Sequence, residues 1–563
     1  MRKNLLAFYL IITFLVPSAA LAQKSVKITP QERKIAEAIT AAQLSDYLHF
    51  VASDEMEGRD TPSRGLDITA KFIATMLSRW GFKPAGDEGT FFQKMYIRRE
   101  SVDREKSFIE IGGRKFKYGQ DFYRFPGPTA DLSNKPIVFA THGWVIKSKN
   151  INAFEGLDVK DKIVALYGEG QPGQNLIPLP DGVTNADLTG ERGTDWNDGI
   201  GYALQNGAAG VIILPSKFFR DRWAQIGQFF GRGGMYVEKL HNGPRGGGMN
   251  LPLPGFIVSS ETAESIFAGE AVNPLREKVD KGFELKNQTF SANVVISAER
   301  LPTQNVVAVW EGSDPSLKNE YVAVGAHYDH VGVNPNVSGN DKIFNGADDD
   351  GSGTVAVLAI AEALAKAPVR PKRSILLVWH AGEEKGLWGS AYFNKFPTVN
   401  IKNVVTQLNI DMIGRSRKPD DTNPRNRDLS GENEIYVIGS EMMSSTLGAI
   451  TKQTNEVYLK LNYNYRYDAP NDPNRFFFRS DHFYYAQNGI PIVFWFDGEH
   501  QDYHGVGDHA DKIDYVKMEK VARTVFMTMW KIAELKDRPK VDKKLPPELT
   551  RGAASPAVQG REG

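Results

Sequence analysis

Hydrophobic and polar positions along the 563-residue chain fall into three textures. From about Pro30 to Trp80 the apolar residues recur at helical spacing, with Ile68, Phe72, Ile73 and Leu77 forming one stripe that Gly81 ends. Within this region Met56-Glu57-Gly58-Arg59-Asp60-Thr61 is polar and reads as a plain connector. From about Phe125 to Gln288 short apolar runs (136–140, 163–167, 211–214, 254–258) alternate with long glycine-rich loops, which predicts a separate strand-rich module. Its glycines lack phosphate-loop spacing and no Lys-Ser/Thr follows them, so no nucleotide site is expected. From about Ser291 onward strand and helix patterns alternate, with strands near Val306, Val322, Ile375, Val404 and Ile492. That alternation predicts an α/β fold, a mixed and mostly parallel sheet flanked by helices. Residues 541–563 are polar and proline-bearing and read as a disordered tail.

One stretch in the third region organises the rest. Tyr321 to Ala326 is an apolar run of the kind that forms a buried parallel strand, and His327 ends it with Asp329 two residues on. A polar loop leads to Asp348-Asp349-Asp350 and Gly351-Ser352-Gly353, and a helical pattern through Val357, Leu358, Ile360, Ala361 and Leu364 runs to Pro368. Adjacent carboxylates beside a histidine repel one another unless a cation lies among them.

Composition narrows the alternatives. Lys plus Arg and Asp plus Glu number 68 each, so nothing favours nucleic acid or an anionic membrane as partner. Residues 1–22 have the layout of a secretory signal: Arg2 and Lys3, an apolar centre from Leu5 to Val16, and Ala20-Leu21-Ala22. The apolar centre is short for a membrane span. An exported chain, periplasmic or secreted, without an anchor after signal cleavage is expected. With no cysteine in the sequence, a metal site must use histidine and carboxylate.

In an open α/β sheet, ligands gather at the carboxyl ends of strands. Four predicted strands end in suitable residues: His327; Glu383-Glu384 after the 374–379 run; Asp411 after the 404–410 run; and His504 in the segment after 492–496. Asp349 can bridge two cations through its two oxygens, with His327 and Asp411 completing one site and Glu384 and His504 the other. Three protein ligands and an open position per ion is the pattern of a catalytic zinc site. Two divalent cations, three carboxylates and one bridging hydroxide give a neutral centre, and water held between such ions loses a proton near neutral pH. Glu383 is then the general base, Tyr503 an oxyanion donor, and the Asp329 carboxylate a partner for the second ring nitrogen of His327. Arg479 is a weaker candidate for a substrate carbonyl or carboxylate. His330, His380, His482, His500 and His509 read as pocket wall or ordinary hydrogen bonders.

These residues carry a resemblance. Gly325-Ala326-His327-Tyr328-Asp329, Gly346-Ala347-Asp348-Asp349-Asp350-Gly351-Ser352-Gly353, Gly382-Glu383-Glu384, Asn409-Ile410-Asp411, Arg479-Ser480-Asp481-His482 and Tyr503-His504 resemble, in order, the motifs of the M28 family of co-catalytic zinc peptidases. The resemblance implies a zinc-exopeptidase fold, two Zn2+ ions, a peptide substrate, Asp349 as the bridge and a cis peptide before Asp350. It divides the chain into a signal (1–22), a leading part of the peptidase domain (23–124), an inserted domain similar to protease-associated (PA) domains (125–288), the zinc peptidase domain (289–540) and a tail (541–563). An aminopeptidase is the first expectation. The alternatives are a glutamate-carboxypeptidase-like enzyme, for which Arg479 and Arg466 are candidate carboxylate binders, a silent binding protein on the same fold, and a glutaminyl cyclase. The family's last histidine is usually followed by Thr-Pro and an acid, whereas this chain has Gly505-Val506-Gly507-Asp508.

Overall fold

A computed structural model of the chain describes residues 25–127, 132–169, 176–231, 234–241 and 251–545. The signal pattern, the glycine-rich run 243–248 and most of the tail lie outside the described residues.

Two large sheets share the chain. The first has ten strands, and its centre is parallel: Tyr321–His327 lies between Ser374–His380 and Val404–Ile410, and Ile492–Phe496 follows. All four strands are buried along nearly their whole length. That explains why they read as unbroken apolar runs rather than alternating ones. Antiparallel strands flank this centre: Ile296–Trp310 and Phe92–Val102 on one side, Glu434–Ile438 on the other. Helices Gly353–Lys366 and Tyr515–Ala533 pack against the sheet within one core. The first is apolar on all sides because sheet and helices both cover it.

The second sheet has eight strands, with parallel pairs joining Leu132–Phe139, Ile163–Tyr167, Gly210–Leu214 and Gly255–Val258 around a core of their own. It begins earlier than the sequence pattern placed it. Phe108–Ile111, Arg114–Lys117 and Phe122–Arg124 belong to it rather than to the leading part of the peptidase domain. These are short, partly charged strands near the sheet margins, so they carry little apolar signal. One strand from this region, Gly234–Val237, instead pairs with Phe92–Val102 at the margin of the first sheet.

The leading segment forms helices Pro30–Ala36, Ala41–Val51 and Arg64–Arg79. The first two start at capping boxes, Thr29 with Glu32 and Thr40 with Gln43. The 56–61 segment is not a plain connector. Arg59 is fully buried, and its guanidinium donates to the backbone carbonyls of Val51, Tyr328, Asn345 and Gly346 at 2.7–3.0 Å. Gly58, at φ +64°, lets this turn approach the chain closely: a Cβ there would lie 2.5 Å from the carbonyl oxygens of Gly332 and Phe344.

Candidate metal centre

The four central strands end on the same side of the first sheet, and the loops beyond them meet. His327 closes its strand, and the turn Ala347–Ser352 brings Asp349 beneath it ahead of helix Gly353–Lys366. The peptide between Asp349 and Asp350 is cis. His327 Nε2 lies 3.3 Å from Asp349 Oδ1, 3.6 Å from Asp411 Oδ1 and 3.8 Å from Glu383 Oε2. His504 Nε2 lies 3.1 Å from the other oxygen of Asp349 and 2.9 Å from Glu384 Oε2. The two oxygens of one carboxylate therefore face two separate histidines.

His330 also enters the cluster. Its Nδ1 lies 2.9 Å from Glu384 Oε1 and 3.6 Å from Asp349 Oδ2. Donor atoms of His330, Asp349, Glu384 and His504 all lie within 4.8 Å of one another, as do those of His327, Glu383 and Asp411. His330 ends no strand and follows no periodicity. Its only signal was its place three residues after His327.

The neighbouring acids arrange the loops. Asp350 accepts from the backbone N–H of His327 (3.2 Å), Gly353 (2.9 Å) and Met412 (3.2 Å). Asp508 Oδ2 accepts from the N–H groups of Asp348 and Asp349 at 2.9 and 3.1 Å. The acid of the divergent Gly505–Asp508 segment thus supports the metal loop. Asp329 departs from its expected role. Its backbone carbonyl, 3.1 Å away, meets His327 Nδ1, while its carboxylate oxygen is 3.7 Å from that nitrogen and accepts the Glu383 N–H at 3.2 Å. The carbonyl already reaches the ring, which leaves the carboxylate to position the base.

Two adjacent carboxyls have opposite acidities. Burial, joined by Glu384 and Asp411 and opposed by His327, pushes the Glu383 carboxyl well above the usual range. Burial also opposes ionisation of Glu384, but His504 and His330 outweigh it and hold that carboxyl down at about 2. Environments that separate two acids in this way separate a proton carrier from a permanent anion.

A cleft opening on the cluster is lined by His327, Asp349, Glu383 and Asp411, with Met412, Phe476, Phe494 and Phe496 as apolar wall and Arg479, Glu499 and Tyr503 as polar rim. Arg479 donates to Glu499 at 2.7 Å and to the Tyr503 hydroxyl at 3.4 Å, and the Tyr503 ring stacks on His504. Arg466 lies apart, paired at the surface with Asp428. His482 stacks on Phe494, and burial depresses its pKa to about 3, so it is a neutral packing residue. His500 faces Asp348 at 3.3 Å, His380 faces Asp481 at 3.4 Å, and His509 faces Asp341 at 3.2 Å.

The donors suit zinc. Asp349 Oδ2, Glu384 Oε1 and both ring nitrogens of His330 are buried without a hydrogen-bond partner. Leaving such groups unpaired costs about 1–3 kcal/mol each, and more where they are charged. A divalent cation removes that cost, and imidazole with carboxylate is a zinc-compatible set.

Residues 305–529 match the model of Peptidase family M28. Leupeptin-inactivating enzyme 1 of Streptomyces exfoliatus is 33% identical over 146 residues, 26% of this chain and 29% of that protein. Leucine aminopeptidase 2 of Arthroderma otae is 25% identical over 281 residues, 46% of this chain and 51% of that protein. The chain therefore spans about half or less of the length of these two curated relatives. Among solved structures, the aminopeptidase from Aneurinibacillus sp. strain AM-1 aligns with a TM-score of 0.48 and 15% identity, covering 92% of this chain and 98% of that one. Over residues 305–529, then, the chain is similar to peptidase family M28.

Proposed function

We propose that the chain is an exported two-zinc exopeptidase that removes residues with apolar side chains from the free amino ends of peptides. The observation that carries this is the split of Asp349, whose two oxygens face His327 on one side and His504 on the other. His327, Asp349 and Asp411 would hold one ion, and Asp349, Glu384 and His504 the other. Zinc bound there supplies Lewis acidity toward a substrate carbonyl and water that ionises near neutral pH.

The chain's own residues do the rest. Glu383, held as a proton carrier by its buried setting and oriented through its N–H by Asp329, takes the proton of the attacking water and returns it to the leaving amine. The Tyr503 hydroxyl, polarised by Arg479, donates to the oxygen that becomes negative at the tetrahedral stage. Met412, Phe476, Phe494 and Phe496 receive the side chain. Glu499 at the rim is an acceptor for the substrate's ammonium group.

A glutamate-releasing carboxypeptidase needs free cationic groups to hold the terminal carboxylate. Arg479 is already paired with Glu499 and Arg466 with Asp428, which favours the amino-end reading. The export reading rests on the pattern of residues 1–22. We assign the second module no chemistry: both donor clusters found among the described residues belong to the first sheet.

Mass spectrometry of one peptide mixture, half with acetylated amino ends, tests this in parallel samples with and without chelator. Stepwise loss from free amino ends only, stopped by the chelator, is expected. Loss from carboxyl ends regardless of acetylation would move the protein to the carboxypeptidase side. No cleavage by the zinc-loaded protein would defeat the peptidase reading.

A further inference from the structure

We propose, building on the two-zinc reading above, that His330 is a fourth protein donor to the second ion, so that this ion is enclosed and anchoring while the first carries the chemistry. His330 is fully buried, and neither of its ring nitrogens has a hydrogen-bond partner. A histidine serving only as wall would leave two polar atoms unpaired inside the protein, at about 1–3 kcal/mol apiece. Its Nδ1 instead points to Glu384 Oε1, at 2.9 Å, and that oxygen is itself without a hydrogen-bond partner.

The surroundings fix the ring in that direction. The His330 N–H donates to the carbonyl of Arg59 at 3.2 Å. On the other side lies Gly346, at φ +58°, where a Cβ would come within 2.5 Å of the His330 ring. Only glycine combines that backbone angle with the space the imidazole takes.

The donor count then separates the two positions. His330, Asp349, Glu384 and His504 make four protein donors, the number of a closed zinc site, whereas His327, Asp349 and Asp411 make three and leave a place open. The cleft agrees with this division. Its lining includes all three donors of the first position but neither His330 nor Glu384. His330 brings no charge, so it raises the affinity of the second position without adding to the net charge of the donor set.

Metal-free protein titrated with zinc, then dialysed against graded chelator with zinc counted by mass spectrometry, tests the assignment without reference to activity. Wild type is expected to hold two ions, one released only at much higher chelator. In His330→Ala the tightly held ion is expected to weaken about 100-fold, by analogy with the loss of a ligand-supporting partner, while the other is unchanged. Unchanged release of both ions would overturn the proposal. A crystal of zinc-loaded wild type decides independently of how the variant folds: a zinc-to-Nδ1 distance of about 2.0–2.1 Å is expected. Two bound ions with His330 outside coordination distance would overturn this inference and leave the two-zinc reading standing. Wild type that binds no zinc would defeat both.

Discussion

The two sheets of this protein share an architecture and differ in what ends their strands. Each has a parallel centre of four strands, buried along nearly their whole length except for the largely exposed first half of Leu132–Phe139. In the second sheet those strands run out into Ala140-Thr141, Gly168-Glu169, Pro215-Ser216 and Ser259-Ser260. In the first they run out into His327, Ala381-Gly382-Glu383-Glu384, Asp411 and Asp497. A parallel sheet supplies converging strand ends; only the residues placed there make a site. The cost of that placement is visible in the network beneath it, where Arg59, Asp350, Asp508 and Ser480 hold the acids in position.

Glu383→Gln should produce the largest effect, because it removes the proton carrier and keeps the shape. We expect kcat to fall by roughly 10²–10⁴ with zinc content unchanged, checked by steady-state assay and metal analysis. Intact turnover would leave the first sheet's strand ends no more catalytic than the second's. Zinc removal should next separate the sheets energetically. Zinc at about a hundred times its dissociation constant stabilises the folded state by about 3 kcal/mol. Chelation should therefore speed hydrogen exchange in 321–327 and 404–410 while sparing 163–167 and 210–214. Equal acceleration in both sheets would break the comparison.

Arg59→Met keeps bulk but removes the donors to four carbonyls. It should destabilise the first sheet by about 3 kcal/mol and lower zinc affinity, with the second sheet unaffected, as followed by urea unfolding and exchange. The most local effect concerns a buried acid with no histidine beside it. Asp468 accepts the Gly439 N–H at 2.6 Å, and burial lifts its pKa from 3.8 to about 7. The folded chain keeps a proton that the unfolded chain releases. This contribution is thus fully present below pH 3.8 and is lost as pH rises to about 7. Across that window Asp468→Asn should remove a slope of about 1 kcal/mol per pH unit from the unfolding free energy. An unaltered slope would mean that solitary and clustered acids are treated alike.

Much of this was legible in the residues. The central strands announced themselves because burial on both faces leaves no polar alternation, and Glu384 and Asp411 follow strand ends closely while Asp349 lies just ahead of a helix. What escaped the pattern shares a different property. Arg59 acts on Tyr328, Asn345 and Gly346 from almost three hundred residues away, and nothing local in Met56–Thr61 records its targets. His330 and Asp508 lie in loops where no period reports which way a side chain turns. Asp329 meets the expected neighbour through a different atom, since its backbone carbonyl competes with its carboxylate for the same imidazole. The second sheet began early because Arg114–Lys117 offers one buried residue, Phe116, in four.

Apart from Gly234–Val237, the described strands between Val102 and Ile296 lie outside the first sheet, and Val102 and Ile296 are paired partners. Nearly two hundred residues can therefore be cut out and the gap closed by a hairpin turn, with only Gly234–Val237 lost from the first sheet. The cut is not free of consequence, because Gly234–Val237 covers the outer edge of Phe92–Val102. A shortened chain would bare a row of unpaired amide and carbonyl groups and tend to assemble edge to edge. In the intact protein Gly234–Val237 shields that stretch of edge from another chain.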